Sequence, residues 1–177
     1  MMERVLERGK EPEPEQSIYD KIFNLRAEFR RQREQGKVVI KGKDLEWRQD
    51  RQALSRYYSY AHIWPELAVP FWILFQIRVI KHSGKHTHQG GLALFILEGK
   101  GYTIVDGARY DWEKGDLVIL PVKPGGCEHQ HFNADPNTPA EWQAFIFDIH
   151  SAIMGHPLEQ KEEVKDWQKG PDVGHQA

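Results

Sequence analysis

A chain of 177 residues suits one domain with a sizeable core. Its 24 basic and 26 acidic residues nearly cancel, to a formal charge of −2, which argues against a dedicated nucleic-acid binder. One cysteine, Cys127, allows no intrachain disulfide, and the longest apolar window, Leu67 to Phe75, falls short of the roughly 20 residues a membrane span needs.

Residues 1–16 are charged, carry Pro12 and Pro14, and contain no apolar leader, so they read as an arm on a soluble, cytoplasmic protein that meets no membrane. Ser17-Ile18-Tyr19-Asp20 has the form of a capping box. Ile18, Ile22, Leu25 and Phe29 then recur at helical spacing, and Gly36 is a natural stop. The arginines of this helix (Arg26, Arg30, Arg31, Arg33) read as a solvated face. Val38-Val39-Ile40 predicts a short strand, spare to the main fold and suited to pairing with a second copy. Residues 44–69 are rich in Trp and Tyr and predict turns and short strands.

From residue 70 the pattern is all-β. Strands are expected at Phe71–Ile80, Ala93–Leu97, Gly101–Val105, Asp116–Leu120 and Trp142–Ile149, separated by turn residues such as Asp106-Gly107 and Lys114-Gly115. Regular spacing of short strands favours a sandwich or barrel over a βαβ fold. The expected organisation is an N-terminal arm and helix (1–36), a barrel with its leading strands (37–150) and a short C-terminal tail (151–177) with a surface helix over Leu158–Trp167.

Five of the nine histidines fall between Lys81 and His131. His86 and His88 are one residue apart, so on a strand both imidazoles point to one face. A second pair, His129 and His131, comes from a later part of the chain. Two imidazoles on one strand and a third from a neighbouring strand make a divalent-metal site. Gln76 and Arg78 share a face of their strand; they either enter the barrel, where the Arg fork suits a substrate carboxylate, or face outward. His131 is placed on the His129 face by alternation, and one of Trp142 and Gln143 must face inward. Gln76, Arg78, His131, Trp142 and Gln143 are therefore the candidate substrate contacts.

Taken in order, these residues resemble the two motifs of the cupin superfamily. His86, His88 and Gly99 match the first motif; Pro124, Gly126, His129 and Asn133 match the latter half of the second. The resemblance covers roughly residues 70–150 and implies a single small antiparallel jelly-roll barrel with the metal inside, held by His86, His88 and His129. It also implies a homodimer or higher homo-oligomer. Where that family places a glutamate ligand, this chain has Leu92. A three-histidine shell without the carboxylate is similar to that of the gentisate 1,2-dioxygenase group, whose typical members carry two such units. That similarity implies Fe(II), dioxygen and a small anionic, hydroxylated aromatic substrate. Zn, Mn or Ni in the same site would instead imply an isomerase, lyase or hydrolase, and the barrel could also serve as a non-catalytic ligand binder.

Overall fold

A computed structural model describes residues 17–60, 63–64, 66–69, 71–149, 153 and 158–165. The expected arm at 1–16 and most of the expected tail lie outside the described residues.

The chain opens with helix α1 (Ile18–Gln35). Ser17 Oγ accepts from the Asp20 backbone N–H at 3.1 Å, and the Asp20 carboxylate accepts from the Ser17 N–H at 3.1 Å, which closes the capping box read from the sequence. The helix stops at Gly36 without a left-handed cap, since φ there is −64°. The glycine is needed for proximity instead: a Cβ at Gly36 would lie 2.6 Å from the Ala68 backbone. No residue of α1 is buried.

Among the described residues eleven strands follow: β1 (Arg48–Gln49), β2 (Leu54–Ser59), β3 (Trp72–Val79), β4 (Lys85–His88), β5 (Leu92–Glu98), β6 (Lys100–Val105), β7 (Ala108–Glu113), β8 (Leu117–Ile119), β9 (Cys127–Asn133), β10 (Ala140–Phe147) and β11 (Leu158–Glu162). They form two antiparallel sheets that face one another as a jelly-roll barrel, in the orders β1-β2-β3-β10-β5-β8 and β11-β4-β9-β6-β7. Alternate residues of the long strands fill the interior: Phe75, Ile77 and Val79 of β3, Leu92, Leu94 and Ile96 of β5, Trp142 and Ala144 of β10. Each fully buried large apolar side chain contributes about 1.5–3 kcal/mol. The intervening residues of the same strands lie on the outer face.

Two sequence expectations are corrected. Val38–Ile40 is not a strand; only Lys37 forms a bridge, to Leu67, and Val38 and Val39 are exposed. Their β-branched side chains favour extension but find no sheet edge to complete a ladder. The expected helix at Leu158–Trp167 is instead strand β11 over Leu158–Glu162, with Trp167 outside the described residues. Pairing with the open edge of β4, with Leu158 opposite His88 and Gln160 opposite His86, overrides the local helical preference. Among the described residues no helix is long and apolar enough to cross a membrane.

Candidate metal centre

Strand alternation puts His86 and His88 on one face of β4, and the β4–β9 register sets His86 directly opposite His129. The three rings form a tight triangle with centroid separations of 4.9, 4.3 and 4.6 Å. One ring nitrogen from each lies within 4.8 Å of those of the other two. Gly126, just ahead of β9, makes this closeness possible: its φ is +77°, and a Cβ there would sit 2.5 Å from the His88 carbonyl oxygen.

Backbone carbonyls orient two of the rings. His88 Nδ1 donates to the Gln89 carbonyl at 2.5 Å, and His129 Nδ1 donates to the Cys127 carbonyl at 3.2 Å. Each bond leaves that ring's Nε2 lone pair free for a ligand, the arrangement metal-ligating histidines use. His129 Nε2 and His86 Nδ1 are buried with no hydrogen-bond partner. Orphaned buried nitrogens are costly unless something binds them. Burial and the neighbouring His88 and His131 rings hold the His86 imidazole at a pKa of about 3. Burial lowers His88 too, against the opposing pull of its Gln89 bond, and lowers His129 well below the usual range. The rings are thus neutral at physiological pH, as ligands must be. Orphaned nitrogens, neutral rings and convergent geometry fit a divalent cation.

The triangle faces a cavity of about 540 Å³. Its walls are mostly apolar: Ile73, Phe75 and Ile77 from β3, Leu92 and Leu94 from β5, Trp142 and Ile146 from β10, with Tyr57 from β2. Leu92 is 3% exposed, so the position that could have carried a carboxylate is a hydrocarbon wall. Asp50, Arg51, Gln52, Asp148, Leu158 and Gln160 also contribute to the lining. The Gln52 amide donates to Gln160 Oε1 at 2.8 Å, which ties the β1–β2 loop to β11.

The candidate substrate contacts divide. His131 and Trp142 line the cavity, with ring centroids 4.9 Å apart. The Trp112 indole N–H donates to Thr103 Oγ1 at 2.9 Å, and the Thr103 hydroxyl shares a hydrogen bond of 2.8 Å with His131 Nδ1. Burial, reinforced by the His88 ring, holds His131 near pKa 3. His131 is therefore a neutral ring whose Nδ1 is held by Thr103. Gln76, Arg78 and Gln143 are not among the residues that line the cavity; of the two orientations the sequence allowed, they take the outward one. Gln76 accepts from Arg56 Nε at 2.6 Å; Arg78 pairs with Glu141 at 2.6 Å and stacks over Trp47; Gln143 donates to the Phe75 carbonyl. Each shares the parity of the outer face of the six-stranded sheet, whose inner positions belong to Phe75, Ile77 and Trp142.

Other titratable residues near the motifs are engaged elsewhere. Glu128 pairs with Lys85 at 2.8 Å, Glu98 with Lys114 at 2.7 Å, and His82 Nδ1 donates to the Ser83 carbonyl at 2.9 Å. Burial pushes the Cys127 thiol upward, away from nucleophile behaviour. Sequence reasoning missed the Asp50–Gln52 loop, the Gln160 lining and the Thr103–Trp112 pair. Only the last had a sequence signal: Thr103 and Trp112 are inward by alternation on strands either side of the Asp106-Gly107 turn.

The two-sheet barrel encloses a three-histidine cluster that could hold a metal ion, and residues 75–149 match the family model of the cupin domain. No curated protein matches the sequence. Among solved structures, a Cupin 2 conserved barrel domain protein from Salinispora arenicola CNS-205 is 20% identical, with a TM-score of 0.51, over 67% of this chain and 94% of that one. The polyketide cyclase RemF from Streptomyces resistomycificus is 14% identical, with a TM-score of 0.53, over 73% of this chain and 89% of its own. At these identities the likeness is one of fold.

Proposed function

We propose that this protein is a mononuclear non-haem iron(II) dioxygenase of a small anionic, hydroxylated aromatic compound. The observation that carries the reading is the three-imidazole triangle with Leu92 in place of a carboxylate, facing a mostly apolar cavity with Tyr57, Phe75 and Trp142 in its wall. An iron(II) ion held by His86, His88 and His129 would keep its full positive charge, and would supply dioxygen activation together with attraction for an anionic substrate.

The chain's own residues do the rest. Phe75, Trp142 and the aliphatic walls exclude water and confine a flat ring. His131, its Nδ1 occupied by Thr103, offers an Nε2–H to a substrate oxygen. Burial, then the charges of Asp50 and Tyr60, push Tyr57 to a pKa of about 12, so its phenol stays protonated as a second donor. Arg51, ion-paired with Glu163 at 3.6 Å, brings a cation to the lining.

Three neutral imidazoles are equally a zinc ligand set, and this favours one competing reading, a non-redox isomerase, lyase or hydrolase. Metal analysis of chelator-free protein, followed by oxygen uptake over hydroxylated aromatic acids with and without added iron(II), separates the two. Iron-restored uptake supports the dioxygenase. Bound zinc, turnover under strict anaerobiosis and no iron-restored uptake would refute it.

A further inference from the structure

Among the described residues, two apolar faces are uncovered, and they match. On α1, Ile18, Tyr19, Ile22, Phe23, Leu25 and Phe29 are all more than 40% exposed. At 100° per residue they span roughly 160° of the circumference, wider than the narrow seam of a coiled coil and typical of a helix laid on a sheet. The second face is the outside of the six-stranded sheet. Leu74, Phe145, Ala93 and Ile119 stand side by side across β3, β10, β5 and β8. Phe95 and Leu117 form the next row, and Ile119 is 67% exposed. A groove of about 350 Å³ between Val38, Leu67, Val69 and Trp72, Leu74, Phe145 adjoins this band.

The chain's own α1 does not cover the band. Lys37 is fastened at the groove by backbone bonds to Glu66 and Ala68, and α1 leaves from there with no buried residue. Exposed apolar patches of this extent mark an interface. We infer that two copies of the chain associate by exchange, with α1 of each lying across the outer face of the other's six-stranded sheet. At roughly 100 Å² for each half-exposed large side chain, a helix offers roughly 600 Å². Two helices with the surfaces they cover exceed the roughly 1,600 Å² of a standard stable interface. This assembly leaves the cavity side of the sheet untouched and stands independently of the metal chemistry.

The test is the mass of the full chain in solution by light scattering at tens of micromolar. The wild type runs at twice 20.7 kDa, and Leu25→Asp and Phe145→Asp each reduce it to the monomer mass. Leu25 is on the surface of the single chain, so its variant keeps the barrel's circular dichroism. Leu25→Cys and Ile119→Cys chains, mixed and joined by a short bis-maleimide, give a covalent heterodimer. A monomeric wild type overturns the inference. So does a dimer that survives Leu25→Asp while Phe145→Asp dissolves it, because the sheets would then pack without the helices.

Discussion

Lowering the pH of the metal-free protein should weaken it before its carboxylates begin to titrate. His86 and His131 each fall from 6.5 to about 3 on folding. Between those values the unfolded chain takes up protons that the native state refuses, so stability is full above pH 6.5 and is lost as pH falls. Each such histidine removes about 1.4 kcal/mol per pH unit in that window, or about 2 kcal/mol by pH 5. The pair therefore costs about 4 kcal/mol, a large part of the roughly 5–15 kcal/mol of a typical domain. His88 and His129 shift in the same direction and add to the loss. Urea unfolding followed by fluorescence at pH 7.5, 6 and 5 measures this, and His131→Gln should flatten the slope by about one histidine's share. Stability that stays constant from pH 7.5 to 5 would mean that the rings are solvated, and the buried site described above would be wrong.

The remaining predictions concern single side chains. His86→Ala or His129→Ala should reduce metal stoichiometry from one per chain to near zero in equilibrium dialysis, with the far-ultraviolet circular dichroism retained. Arg78→Ala should leave metal binding and turnover unchanged and cost about 1 kcal/mol or less in urea unfolding, since its ion pair is part-exposed on the outer face. Thr103→Val strands the Trp112 N–H in the core and frees the His131 tautomer. It should cost about 1–3 kcal/mol in urea unfolding and alter the nitrogen-15 shifts of the His131 ring.

The barrel was legible because its strands carry period-two alternation and are punctuated by turn residues; β3, β5, β6 and β10 lie close to their expected bounds. The capping box of α1 was equally local, hence readable. What stayed hidden depends on partners far along the chain. β11 is a strand only because β4 leaves an edge beside it, and nothing in Leu158–Glu162 itself records that edge. Val38–Ile40 is the converse, a strand-forming run with no edge available. Arg78 illustrates a third limit: alternation put Gln76 and Arg78 together but did not say which face was inside. The buried neighbours Phe75 and Ile77 decide it. Leu92 was informative in both settings, first as a missing carboxylate and then as an apolar wall of the cavity.

In the proposed function, His86, His88 and His129 hold one iron(II) ion in the barrel. A crystal structure of chelator-free protein, with anomalous maps recorded on both sides of the iron absorption edge, tests it most directly. A single peak is expected, present above the edge and lost below it, bounded by those three imidazoles with no carboxylate in contact. A peak at the zinc edge alone, or iron bound away from this triangle, would contradict it.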